Sequence, residues 1–212
     1  MLKKFFLFFK LRQKKYYRYT VQKRVELLSK VEEYFALKQG RKTCNLIFTE
    51  KLSQNIYGRF DSEPWCIYIN LDLVLDPTRL FDVLGTILHE GRHAFQYCVV
   101  NQAYQDGGKA HRFSRAYKWK KAFEGYLSTQ NYNYVDYQNQ SIELDANMYA
   151  YKQLKKLKYR YKKSKLYYKK LEEYETWFEN AEKNGKEKYG IFYKHKIRKK
   201  NAKQAKINKK QQ

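Results

Sequence analysis

The chain has 212 residues, 43% of them hydrophobic and 18% aromatic, which is enough to bury a core and sets it as one domain with extensions. Its formal charge of +24 is uneven: residues 51–150 carry ten basic and eleven acidic side chains, so the cations crowd the flanks and concern partners more than fold. Cys44, Cys66 and Cys98 are widely spaced, odd in number and form no CxxC pair, which favours buried reduced thiols over a disulfide framework and suits a cytoplasmic protein.

The start, MLKKFFLFFKLRQKK, is too short in its apolar run for a signal peptide or membrane span. It reads as a helix that packs its aromatics on the body, or else as a basic amphipathic segment on an anionic membrane. Val21, Val25, Leu28, Val31 and Phe35 recur at three and four, an amphipathic helix that Gly40 ends. Strands are predicted over 45–49, 55–60 and 65–70, with Asp61-Ser62-Glu63-Pro64 as the turn of a hairpin. A helix from about 77 to 100 opens on Asp76-Pro77, a cap followed by a first-turn proline. Residues 101–115 read as a loop, 116–127 as a helix, and the stretch to 140 as a Tyr/Asn/Gln-rich connection. One long helix is predicted from Ser141 to Phe178, its seam formed by Leu154, Leu157, Tyr161, Ser164, Tyr168, Leu171, Tyr174 and Phe178. The Lys-rich end has nothing to bury and is expected to be disordered.

The chemistry concentrates in Ile87-Leu88-His89-Glu90-Gly91-Arg92-His93-Ala94-Phe95-Gln96. His89 and His93 are four apart, so on a helix both imidazoles can face one ion, while Glu90 can take a proton from a water held there. This HExxH spacing points to zinc. Two histidines need a third protein ligand, and Val99 stands where a metzincin would carry its histidine. The choices are a downstream acid or His111. Glu143 is the stronger, at the first turn of a helix whose Ala146 and Ala150 permit close approach.

The strands ending CIYIN, the HEGRHAFQ helix and the IELDANMYA segment resemble the small gluzincin domains of phage and mobile elements, the ImmA/IrrE-type metallopeptidases, over about residues 20–155. The resemblance implies Zn2+ held by His89, His93 and Glu143, Glu90 as catalytic acid and base, and Asp145 as a group that positions the helix. The chain departs from those relatives at Gly91-Arg92 and in its long 101–140 segment. The implied fold class is α+β: a minimal zincin-like domain whose small antiparallel or mixed sheet packs on the HExxH helix. The division that follows is a basic aromatic segment (1–19), the peptidase domain (20–155), a basic Tyr-rich helical extension (156–190) and a Lys-rich tail (191–212).

A weaker resemblance, around Asp106–Phe113, is to SprT/Spartan-like proteases, which act on DNA-crosslinked proteins and would make His111 the third ligand; Arg112 stands where their glycine would follow. If His111 is no ligand, it is a candidate to stabilise an oxyanion, as are Tyr134 and Tyr137. The expected partner is a protein or peptide substrate laid along an exposed edge strand, with 65–70 as the candidate strand. Lys and Tyr interleave over 159–170, which suits nucleic acid, so a non-enzymatic nucleic-acid binder with a structural zinc is the competing class. A toxin or effector domain of a mobile element is a third.

Overall fold

A computed structural model describes residues 7–52, 56–126 and 140–184. Helix α1 (Val21–Gln39) begins where the Thr20 side chain accepts from the Lys23 amide. It ends at Gly40, whose φ of 68° is the left-handed cap that glycine adopts without steric cost. Its inner face buries Leu27, Leu28, Val31 and Phe35. The N-terminal segment packs inward, as one of its two sequence readings expected. Phe8, Leu11 and Tyr16 are fully buried, with Phe8 edge-on to Tyr34 and Phe35.

Three strands follow: β1 (Asn45–Thr49), β2 (Gly58–Asp61) and β3 (Cys66–Asn70). They form a mixed sheet in the order β1-β3-β2, parallel between β1 and β3 and antiparallel between β2 and β3. The hairpin is the one expected, but the edge is not. Strand β3 lies in the centre with Tyr68 paired to Ile47 on one side and Arg59 on the other, so it has no free edge for a substrate. Its residues Cys66, Ile67 and Ile69 are buried, the near-continuous apolar run of a strand covered on both faces.

The 25-residue helix α2 (Leu80–Tyr104) is the axis of the fold; α1, β2, α3 (Arg115–Glu124) and α4 (Ser141–Lys155) all pack against it. Asp76 opens it through a 3-10 turn over Pro77–Arg79, accepting from the Thr78 amide at 2.8 Å. The helix runs four residues past the expected end at Val100, and left-handed Asp106 and Gly107 then turn the chain. Ser114 caps α3 by accepting from the Tyr117 amide.

The predicted helix from Ser141 to Phe178 is three pieces: α4, a single turn over Lys158–Tyr161, and α5 (Lys165–Asn184). Ser164 is buried, as its place in the seam expects, but its hydroxyl accepts from the Tyr167 amide and starts α5 afresh. The restart shifts the buried face, so Tyr167 is fully buried while Tyr168 is exposed, the reverse of the expectation for Tyr168. An unbroken helix would extend on the order of 57 Å at 1.5 Å per residue and leave the body. Broken, it brings α5 back to α2, where Lys170 pairs with Asp82 at 2.8 Å. The Lys-rich tail lies outside the described residues. Among those that are described, no helix is long and apolar enough to cross a membrane.

Candidate metal centre

Helix α2 stacks His89 over His93 with ring centroids 4.7 Å apart and their Nε2 atoms 3.0 Å apart. Helix α4 crosses opposite, where fully buried Ala146 and Ala150 keep the two backbones close. Its first turn delivers Glu143, with Oε2 3.2 Å from His89 Nε2 and Oε1 3.3 Å from His93 Nε2. These three donors lie within 4.8 Å of one another and could hold a metal ion, the one such group among the described residues. The side chains of His89 and His93 keep 15% and 11% exposure, so solvent reaches the edge of the group, while Glu143 keeps 2%. His111 stands outside it, on an exposed turn where its Nδ1 accepts from the Phe113 amide.

A second layer of polar side chains fixes how the imidazoles point. His93 Nδ1 meets Gln96 Oε1 at 2.8 Å. The Gln96 amide nitrogen donates to the Ile142 carbonyl at 3.0 Å and to Asp145 Oδ2 at 2.9 Å. That nitrogen must therefore face α4, which leaves the Gln96 oxygen facing the ring and makes Nδ1 the donor. The Nε2 lone pair of a neutral His93 then aims at the centre. His89 Nδ1 meets Asn147 Oδ1 at 2.9 Å, the matching arrangement. Asp145, expected to position the helix, holds Gln96 and also receives Arg92 through Nε at 2.7 Å and Nη2 at 3.2 Å. The Arg92 guanidinium lies over the rings of Phe95, Tyr149 and Trp119, so α2, α3 and α4 are clamped where the donors converge.

Two departures in HEGRH have a structural cause. A Cβ at Gly91 would stand 2.5 Å from Arg41 Nη2 and 3.1 Å from Glu32 Oε2. Gly91 makes room behind the centre for a buried Arg41–Glu32 ion pair, both side chains 1% exposed. Arg92 is the clamp already described.

Glu90 is buried on the side of α2 that faces the sheet. Its Oε2 accepts from the Phe60 amide of β2 at 2.9 Å, and its other oxygen has no hydrogen-bonded partner among the described residues. Strand β2 reaches this close because of Gly58, where a Cβ would meet Thr86 Cγ2 at 2.5 Å. Sequence reasoning gave Gln96 and Asn147 no role, although three and four residues beyond His93 and Glu143 they share those faces. It also missed Tyr126, which donates to Glu143 Oε1 at 3.0 Å. Tyr134 and Tyr137 lie outside the described residues.

Burial disfavours a charged His93, yet the Glu143 charge and hydrogen bond, with Glu90 and Gln96, more than offset it and hold the imidazole up at about 9. Burial likewise works against the Glu143 carboxylate, but His93 and His89 keep it well below the usual range. Without an ion, then, a proton binds the group together. A histidine raised above its unfolded value stabilises the fold fully below about 6.5 and loses that contribution as pH rises through the folded value. The metal-free protein should melt at falling temperatures from pH 6.5 to 9. Metal must displace this proton, so affinity should rise by up to about tenfold per pH unit until pH 9. Calorimetric titration in buffers of different ionisation enthalpy reads the released proton; affinity independent of pH between 6.5 and 8.5 would contradict the assignment.

No protein-family model matches the chain, and neither a curated protein nor a solved structure matches it.

Proposed function

We propose that the chain is a zinc-dependent metallopeptidase of the short HExxH type, with His89, His93 and Glu143 as ligands and Glu90 as general base and acid. The observation that carries this reading is the triangle of three donors, with Glu90 close enough for its charge to act on His93 and one of its oxygens unpaired among the described residues. Zinc bonds of about 2.0–2.1 Å at tetrahedral angles set neighbouring ligand atoms about 3.3 Å apart; the two Nε2 atoms here are 3.0 Å apart, and each meets a different oxygen of Glu143, at 3.2 and 3.3 Å. Structural zinc sites close with four protein ligands, whereas three donors leave a corner for water and substrate. Zinc in this position supplies Lewis acidity, which makes water a nucleophile near neutral pH.

The residues divide the remaining work. Glu90 takes the proton of the attacking water on its free oxygen and passes it to the leaving amine. The Phe60 amide keeps its other oxygen turned toward the sheet. Asn147 and Gln96 hold the imidazoles in the tautomer that presents Nε2. Tyr126, bonded to Glu143, fixes the carboxylate against rotation. Since β2 and not β3 borders the sheet next to Glu90, an extended peptide adds along β2. This reading agrees with the ImmA/IrrE resemblance and disfavours the SprT-like ligand set, because His111 is not among the converging donors.

The test is direct. Purified protein loaded with zinc and incubated with an unfolded protein should generate new peptide amino termini, and a chelator should abolish them. Full metal loading without any new termini would overturn the reading.

A further inference from the structure

The basic flanks, separate in sequence, meet in the fold. The Tyr161 hydroxyl on the single turn after α4 donates to the Leu11 carbonyl at 3.0 Å in a buried contact. That joint ties the turn holding Tyr161 to the N-terminal segment at Leu11. On one side Lys156, Lys158, Lys162, Lys163 and Lys165 are exposed, and none has an ion-pair partner among the described residues. On the other, Lys10, Lys14 and Arg18 are exposed as well. No acidic residue precedes Glu26, and none falls between Asp145 and Glu172. Amid the lysines Tyr159 stands 91% exposed, its ring held by no core contact.

A surface of this charge suits either phosphates of nucleic acid or an anionic membrane, and the apolar residues decide between them. Phe8 and Leu11 are fully buried, and no Phe, Leu, Ile or Trp is exposed among residues 7–20 or 152–170. Among the described residues, the apolar side chains that would enter a bilayer turn to the core instead. What remains outward is cations and tyrosine, the combination that tracks phosphates while stacking on unpaired bases. We propose that this composite surface binds single-stranded nucleic acid, with the lysines and arginines on phosphates and Tyr159 stacked on a base.

The test uses the full chain and a labelled single-stranded oligothymidylate, read by fluorescence anisotropy across a salt series. Wild type should bind and weaken steeply with salt. Replacing Lys158, Lys162, Lys163 and Lys165 together by Gln should lower the slope of log affinity against log salt by about 3, at roughly 0.7 per phosphate lost. Tyr159→Ala should weaken single-strand binding roughly tenfold and leave duplex binding unchanged. Metal content serves as the folding control and should not move in either variant. Unchanged affinity in the quadruple variant would overturn the surface, since the binding would then lie elsewhere. Preference of the wild type for phosphatidylserine vesicles over the oligonucleotide would overturn the choice of partner, and equal losses on single strand and duplex in Tyr159→Ala would overturn the stacking. None of these outcomes touches the peptidase reading.

Discussion

Glu90→Gln should leave bound zinc at the wild-type level and lower peptide hydrolysis by about 10²–10⁴-fold, the usual contribution of a positioned general base and acid. The substitution is chosen because it separates two jobs of one side chain. Glutamine keeps the shape and still offers an oxygen to the Phe60 amide, so the 2.9 Å tie between α2 and β2 survives. It cannot accept the proton of the attacking water, so the chemistry is lost with the architecture intact. Glu90→Ala would mix the two effects, because the Phe60 amide would also lose its partner. His93→Ala should behave differently, losing the metal first and activity as a consequence. Unimpaired hydrolysis by purified Glu90→Gln, with zinc present, would sink the catalytic assignment. A purely structural Glu90 would shift the melting temperature and leave the rate per bound zinc alone.

The grouping of His89, His93 and Glu143 could be reached from the sequence because the information is local. Four-residue spacing on a helix places His89 and His93 together whatever surrounds them, and Ala146 and Ala150 mark where a second helix can come close. Asp76-Pro77 and Gly40 act within one turn of their own position and were legible for the same reason. What escaped depends on partners distant in the chain. The strands are recognisable one by one, but placing β3 in the centre requires β1 to cross and pair parallel with it, which no hairpin signal encodes. Ser164 fits the stepping of an apolar seam as well as it fits a cap, and only the folded chain, where its hydroxyl accepts from the Tyr167 amide, shows the cap. Gln96 looks like any polar residue until α4 supplies Ile142 and Asp145 to fix its amide. Gly91 looks like a loss of helix propensity until Arg41 and Glu32 arrive behind it.

This last pair carries the second large effect. Glu32→Ala should destabilise the fold by about 3–5 kcal/mol, because it leaves the Arg41 guanidinium buried without its counter-charge. Glu32 now accepts from Arg41 Nη1 at 2.6 Å, from Arg41 Nη2 at 2.9 Å and from the Cys44 amide at 3.0 Å. Arg41 Nη2 and the Cys44 amide lose their acceptor at once, while Nη1 keeps only the Lys42 carbonyl at 3.1 Å and the Cys44 sulfur, in a space against Gly91 that admits no bulk to compensate. For a chain of this size the loss corresponds to a drop of about 10 °C or more in Tm. Replacing both partners by apolar residues of similar volume, Glu32→Leu with Arg41→Met, should recover most of it, since a buried ion pair owes its damage on breaking to the orphaned charge more than to its own net worth. The apolar pair still leaves the Cys44 amide unsatisfied, so recovery should stop short of the wild type by about 1 kcal/mol. Denaturant titration of the three proteins, each with bound zinc measured, gives the comparison. A Glu32→Ala variant within 1 kcal/mol of wild type would mean that water reaches Arg41, and that Gly91 is not there to make room for a dry ion pair. If the double variant instead falls below Glu32→Ala, the pair contributes more than it costs, and its place against Gly91 makes it part of what holds α2 straight where His89 and His93 stand.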